Sequence, residues 1–349
     1  MLLDILDGQI DGSLRLAIQS YLKVATNKKP SRMKIASKLL AENSSDYNVL
    51  LRDHYKLSKS FHKKFAKTSW NELENPEFSY LDLKIVIADQ IFKSCILCEK
   101  TCEVDRRSET GSCGVKEPLI ASEFLHMGEE AALVPSHTIF FAGCNFKCIY
   151  CQNWDISQYP NRGVLLEPEK LAKIIDLRRT QGSMNVNFVG GDPTPNLPYI
   201  LRTMNNSKEN IPVIWNSNLY SSEITMKLLD GFVDLYLTDF KYGNNECAER
   251  LSGISNYTNV LRRNHKIAYH TSDLIIRHLI IPNHVECCSK PLLKWIADNL
   301  GLEVVINIMP QYRPAYNASK HQDISVFPSK NEIKEVNAYA EGLGFVNLI

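Results

Sequence analysis

Seven of the ten cysteines fall between Cys95 and Cys151, in two tight groups. No other feature constrains the chain as much. The N-terminus, Met1-Leu2-Leu3-Asp4-Ile5-Leu6-Asp7, carries acids early and lacks a basic stretch, so no secretory signal is expected and the expected compartment is the cytosol. Thiols stay reduced there, and clustered cysteines read as metal ligands rather than disulfides. Cys247, Cys287 and Cys288 lie outside both groups and read as ordinary thiols. Adjacent cysteines such as Cys287 and Cys288 are poor disulfide partners, because the bridge strains the peptide between them.

The chain has 349 residues, enough for one large α/β domain with an appendage or for two ordinary domains. Lys plus Arg is 40 and Asp plus Glu is 39, a net charge of +1, which argues against a dedicated nucleic-acid binder. Hydrophobic residues at 44% and charged residues at 23% exclude wholesale disorder. No apolar run approaches the ~18 residues of a membrane span.

Residues 1 to about 90 have a helical pattern. Leu14, Leu16, Ala17, Ile18, Tyr21 and Leu22 form one apolar stripe, Pro30-Ser31 breaks it, and Ile35, Leu39 and Leu40 begin another. A third helix is expected from about Tyr47 to Ala66. Arg52, Lys56, Lys59, Lys63, Lys64 and Lys67 mark its solvated face, with a docking surface for an acidic partner as the sharper alternative. Ser94 to Glu130 reads as irregular and cysteine-rich. Strand patterns follow at His137–Ala142, Asn185–Val189, Pro212–Asn216, Val233–Thr238, Leu274–Ile280, Glu303–Ile308 and Phe345–Ile349. Helices are expected near Glu167-Pro168 onward, Leu197–Met204, Glu223–Leu229, Pro291–Leu300 and Lys330–Leu343. This alternation implies an α/β fold with a parallel sheet and right-handed crossovers. Six or seven units are too few for a complete eightfold barrel, so a partial (β/α)6 barrel is expected, with functional residues past the C-terminal strand ends. The expected division is a helical region at 1–90, a metal-binding segment at 91–132 and the partial barrel at 133–349.

The first barrel strand runs through Ala142-Gly143 into Cys144-Asn-Phe-Lys-Cys148-Ile-Tyr-Cys151. A tetrahedral zinc site wants four ligands. Three thiolates on one compact loop suit three irons of a cubane [4Fe-4S] cluster and leave the fourth iron for the amino and carboxylate groups of a small molecule. A zinc site completed by a distant fourth ligand is the competing reading.

Cys-x3-Cys-x2-Cys with Tyr150 before the last cysteine resembles the radical S-adenosylmethionine (SAM) superfamily. The longer string from Gly143 to Ser157 resembles its pyruvate formate-lyase activating enzyme-related branch. The resemblance spans roughly residues 94 to 349. It implies a [4Fe-4S] cluster at Cys144, Cys148 and Cys151, SAM as co-substrate, and a low-potential electron donor of the flavodoxin or ferredoxin type. It implies that Gly190-Gly191-Asp192-Pro193 stands where a Gly-Gly-Glu-Pro segment binds the SAM amino group, with glycines for close approach and an acid for the ammonium. The aspartate is shorter than the usual glutamate. Asn216, Ser217 and Asn218 suit ribose hydroxyls or the methionyl end of SAM. Asp239-Phe240-Lys241 resembles an Asp-x-Lys whose lysine faces the SAM carboxylate. Arg277 offers a further cation, and Tyr150 backbone contacts to adenine. Met309-Pro310-Gln311-Tyr312-Arg313-Pro314 reads as a wall on the substrate side. Read singly, Gly190-Gly191 is a tight turn, Asn216 and Asn218 are loop caps, Asp239 and Lys241 share a solvated strand face, and Arg277 is a structural ion-pair residue. His278 points to the opposite face and reads as a satisfied structural histidine.

Cys95, Cys98, Cys102 and Cys113 form a closed set of four thiolates, fit for a second iron–sulfur cluster or for zinc. The function implied is reductive SAM cleavage to a 5′-deoxyadenosyl radical for hydrogen abstraction, in a glycyl-radical activase-like enzyme. The alternatives are radical modification of a peptide or small molecule, and a non-enzymatic iron–sulfur or zinc protein.

Overall fold

A computed structural model describes residues 11–69 and 74–349. Met1–Ile10 and residues 70–73, and with them part of the expected helical region, lie outside the described residues. One eight-stranded sheet organises the chain, its strands adjacent in sequence order: β1 Ile120–His126, β2 Ser136–Phe141, β3 Asn185–Gly190, β4 Val213–Ser217, β5 Leu235–Asp239, β6 Asp273–Leu279, β7 Val305–Met309 and β8 Asn347–Leu348. β2 to β8 pair in parallel, and β1 runs antiparallel against β2. The order is linear from β1 to β8, so the barrel is open, as expected.

β1 corrects the reading of 94–130 as irregular. It is an edge strand with a weak burial alternation, so its sequence lacks a clean period of two. Glu123 on it takes His137 Nε2 at 2.8 Å and Arg178 Nη2 at 2.8 Å. The helices Asn245–Ser252 and Tyr257–Thr271 fill the β5–β6 crossover, and Tyr80–Phe92 closes the N-terminal region behind a Ser79–Asp82 capping box. The second N-terminal stripe is cut short. Its helix ends at Ala36, and Leu40 is 72% exposed.

The strands alternate between two cores. Ile139, Phe141, Phe188, Trp215, Tyr236 and Ile276 face outward to the surrounding helices, including Tyr47–Lys67, which buries Leu50, Leu57, Phe61 and Phe65. Arg52, Lys56, Lys59, Lys63, Lys64 and Lys67 are exposed on its far side, the solvated face read from the sequence. Ile214, Leu235, Leu237, Ile275 and Val305 face inward and pack with Leu133, Ile18, Tyr21 and Ala25. The helix Gln19–Ala25 therefore plugs the N-terminal end of the open barrel. Tyr21 N donates to Asp273 Oδ2 (2.6 Å), Asn185 Nδ2 to Tyr21 Oη (2.8 Å) and Arg32 N to Asp234 Oδ1 (3.0 Å). Each fully buried Ile or Leu in this plug stabilises by ~1.5–3 kcal/mol relative to exposure. With that end closed, the cavity lies toward the C-terminal strand ends. No described helix is long and apolar enough to cross a membrane.

Candidate functional site

Past Phe141 the chain turns at Gly143, whose φ of 89° favours glycine. The cysteine loop is then pinned to the helix Asn245–Ser252, with Lys147 N on Ser252 O and Ile149 N on Leu251 O, both 2.9 Å. Cys144 and Cys148 are buried and Cys151 partly so. Cys144 Sγ accepts from Phe146 N (3.3 Å). Cys148 Sγ lies 2.9 Å from Ser252 Oγ, and Cys151 Sγ 3.1 Å from Ser157 Oγ. Burial pushes all three thiols up, Cys148 to about 12. Sulfurs this dry carry charge only beside a cation, and a bound metal deprotonates them outright. That donor set fits an iron–sulfur cluster.

The three sulfurs open onto a cavity of about 510 Å³, within the range of small-molecule sites. The same cavity is lined by Tyr150, Gly190, Gly191, Asn216, Ser217, Asn218, Asp239, Lys241 and Arg277, so twelve of the thirteen barrel residues singled out in the sequence converge there. Met309 and Gln311 line it too.

Asp192 stands apart. It is 1% exposed and lies behind the loop, taking Ser217 Oγ (2.8 Å) and Asn218 N (3.0 Å) on Oδ2 and Thr194 N (2.9 Å) on Oδ1. The acid expected to meet an ammonium instead braces the polar loop after β4. The glycine pair lines the cavity and also packs tightly against the cysteine loop. A Cβ on Gly191 would lie 2.0 Å from Gly143 O, and one on Gly190 2.1 Å from Phe141 O. These glycines let the loop after β3 close on the cysteine loop, where Gly191 N reaches Phe141 O (2.8 Å) and Asp192 N reaches Gly143 O (3.0 Å).

Asn218 Nδ2 donates to Asn145 Oδ1 (2.7 Å) and lies 3.7 Å from Cys144 Sγ. Lys241 pairs with Asp239. Burial opposes the lysine's charge, but Asp239 and the Cys148 sulfur outweigh it and the net shift is upward. Tyr150 spends its hydroxyl inside a buried chain running Tyr150 Oη to Tyr242 Oη (2.6 Å), to Ser252 Oγ (2.5 Å), to Cys148. Its hydroxyl is therefore already engaged, and its backbone polar groups remain for a ligand. His278 is the satisfied histidine expected, with Nδ1 on Phe240 O (2.9 Å) and Nε2 on Ser289 Oγ (2.8 Å).

The sequence reading missed the floor of the cavity. Arg277 forks onto Glu130, with Nε on Oε1 at 2.8 Å and Nη2 on Oε2 at 2.7 Å, and also pairs with Glu129. Asn307 Nδ2 donates to Glu130 Oε1 (2.8 Å). Burial works against the Glu130 carboxylate, yet Arg277 holds it below the usual range. One signal was present. Asp239, Arg277 and Asn307 share one register row across β5, β6 and β7, so three polar residues at one level of the interior mark it. Glu129 and Glu130 follow the unrecognised β1 and carried no pattern.

Cys95, Cys98, Cys102 and Cys113 are also brought together, around a small cavity shared with Arg106, Thr194 and Pro195. Ser112 N lies 3.3 Å from Cys102 Sγ. Burial pushes Cys98 up to about 12. The group sits behind the loop after β4: Glu99 N bonds Tyr220 O (3.3 Å) and Ser222 N bonds Leu97 O (3.1 Å).

Residues 138–296 match the family model of the radical SAM superfamily, a span from β2 into the helix Lys290–Leu300 that includes the three-cysteine loop. Uncharacterized protein MJ0674 of Methanocaldococcus jannaschii is 46% identical over 329 residues, 92% of this chain and 96% of that one. The pyruvate formate-lyase-activating enzyme of Staphylococcus aureus is 26% identical over 162 residues, 42% of this chain and 62% of that one. Among solved structures, Streptococcus suis SuiB aligns with a TM-score of 0.44 at 13% identity, covering 62% of this chain and 47% of that chain, so this chain spans about half its length.

Proposed function

The chain belongs to the radical SAM superfamily, and on that premise we propose that it is an oxidoreductase that binds SAM above Cys144, Cys148 and Cys151 and uses it to abstract hydrogen from a substrate in the same cavity. The carrying observation is the opening of three buried sulfurs, held on one loop, onto a closed-bottomed cavity of about 510 Å³. A [4Fe-4S] cluster held by these cysteines supplies, when bound, the electron that splits SAM into methionine and a 5′-deoxyadenosyl radical. The chain's own residues orient and shelter. Lys241 offers its ammonium to the SAM carboxylate, Asn216, Ser217 and Asn218 offer polar groups to the ribose and methionyl end, and the plugged barrel excludes water.

One observation supports iron–sulfur over zinc. Among the described residues, in neither cysteine group do three sulfurs lie within 4.8 Å of one another. A zinc tetrahedron has sulfur–sulfur edges of about 3.8 Å. The same spread supports a second iron–sulfur cluster at Cys95, Cys98, Cys102 and Cys113, within the segment 91–132, as an entry point for electrons from a flavodoxin- or ferredoxin-type donor.

For the substrate, the match to an enzyme named as a pyruvate formate-lyase activator supports a glycyl-radical activase-like role. A second reading, direct modification of a small molecule or peptide, is favoured by the floor: Glu129, Glu130, Arg277 and His126 line the cavity as one paired polar cluster fit to hold a polar small group. Anaerobic protein with SAM and a low-potential reductant should yield 5′-deoxyadenosine and methionine in equal amounts. No yield above background overturns the proposal. Deuterium appearing in the nucleoside from a labelled polypeptide glycine, rather than from a small molecule, selects the activase-like role.

A further inference from the structure

Away from the cavity, the loops after β5 and β6 bring together three donors that are far apart in sequence. Cys247 Sγ, His284 and Cys287 Sγ offer ligand atoms that all lie within 4.8 Å of one another. Among the described residues this is the one such group of three His, Cys, Asp or Glu side chains. From the sequence alone, Cys247 and Cys287 read as ordinary thiols. From the geometry we infer that Cys247, His284 and Cys287 form a zinc-type metal site at the rim of the barrel.

Three features carry it. Cys247 Sγ and Cys287 Sγ are 3.8 Å apart. That equals the edge of about 3.8 Å expected for two thiolates on one tetrahedral zinc at ~2.3 Å each. His284 is 4% exposed, and its Nδ1 lies 2.7 Å from Pro282 O, a carbonyl that can only accept. Nδ1 therefore carries the proton and Nε2 the lone pair, the tautomer that metal-bound histidines adopt when a backbone carbonyl orients them. Arg250 Nη2 lies 2.9 Å from that Nε2 and also 2.6 Å from Asp323 Oδ2, so it keeps a partner when a metal takes the lone pair. Lastly, the frame is pre-set. Cys287 lies in a π-helical turn, Val285–Ser289, a form that occurs frequently at functional sites. Gly243 lies against that turn, where a Cβ would come 2.8 Å from Cys287 O, and Asn244 Nδ2 donates to the same carbonyl at 2.7 Å. Asn244 also caps the helix that carries Cys247.

Two thiols lose their protons to solvent as Zn²⁺ binds, so the site becomes neutral. Cys287 is exposed, which leaves the fourth corner for water or for Asp323 on the Arg250 side. The site closes the loops after β5 and β6 onto each other, on the helix whose last residue, Ser252, touches Cys148. It does not rest on the cluster reading.

The test uses the full chain, purified and iron-reconstituted anaerobically, supplied with Zn²⁺ and passed over a competing chelator. Zinc X-ray absorption then reads the shell. About one zinc per chain is expected, with two sulfurs and one imidazole nitrogen, and with affinity falling ~10-fold or more in Cys287→Ser while iron content holds. Cys287 is exposed, so that variant keeps its fold, and circular dichroism checks both it and Cys247→Ser. Absence of retained zinc, a four-sulfur shell, zinc unchanged in Cys287→Ser, or a native Cys247–Cys287 disulfide by mass each overturns the inference.

Discussion

Replacing Gly191 with alanine tests how the two loops of the site are joined. A Cβ at position 191 would stand 2.0 Å from Gly143 O, 2.6 Å from Gly143 C and 3.1 Å from Cys144 Cβ. Non-bonded heavy atoms settle near ~3.5 Å, so the loops must part by about 1.5 Å. Both nearest atoms are backbone, and no side-chain rotation relieves the clash. Parting breaks Gly191 N to Phe141 O and Asp192 N to Gly143 O. Two such bonds are worth ~1 kcal/mol each. Overpacking adds ~1–3 kcal/mol, for a cost of about 3–5 kcal/mol. Set against a total stability of ~5–15 kcal/mol, a chain in the middle of that range stays folded while the cysteine loop shifts. Iron and sulfide per chain, measured after anaerobic reconstitution, should fall by the content of the Cys144 site, with far-UV circular dichroism little changed. Gly342→Ala is the control: nothing lies within 4 Å of its Cβ, it sits in the helix Lys330–Leu343, and it should stabilise by up to ~1 kcal/mol. Full iron content and unaltered stability in Gly191→Ala would falsify the account of that contact.

Other expectations concern single groups. Cys148→Ala should reduce 5′-deoxyadenosine to background with the fold retained, because Ser252 keeps Tyr242 as a partner; retained turnover counts against the cluster assignment. Asp192→Asn puts an amide NH₂ against donors that now share a carboxylate, costing ~1–3 kcal/mol by chemical denaturation and raising the KM for SAM through Ser217 and Asn218. Unchanged stability with lost SAM affinity would instead mean that the carboxylate meets the ligand directly. His265 is buried, with Nε2 2.9 Å from Thr238 Oγ1, and burial lowers it to about 4 from 6.5. The unfolded chain therefore takes up the proton first as pH falls. The stability His265 contributes is complete above 6.5 and is lost as pH drops toward 4, ~3 kcal/mol across that window. His137 and His278 are lowered to about 4 as well, so His265→Gln should reduce the slope of that part of the stability–pH curve without abolishing it; an identical slope in the variant refutes the assignment.

The barrel was largely legible because the inner strands are buried on both faces and several carry unbroken apolar runs, as in Val213-Ile214-Trp215 and Leu274-Ile275-Ile276. Cys144, Asn216, Asp239 and Arg277 could be set near one cavity because each lies at or just past a strand's C-terminal end or faces the interior. Long-range closure was not legible. The edge strand Ile120–His126 is half-exposed, so its alternation is weak, and missing it hid Glu129 and Glu130. The reach of Asp192 to Ser217 rather than to the cavity depends on the distance between two loops, which spacing in sequence does not encode. The meeting of Cys247 with Cys287 likewise depends on how two crossovers fold back over the rim.

On the proposed function, a cluster held by Cys144, Cys148 and Cys151 would leave its fourth metal corner to SAM. Electron paramagnetic resonance of the anaerobically reduced protein, recorded before and after SAM is added, tests it most directly. A cluster signal that changes on SAM addition, and a SAM-responsive component that disappears in Cys148→Ala, is the predicted result. A spectrum indifferent to SAM, or a colourless protein with stoichiometric zinc and no sulfide at those three cysteines, contradicts it.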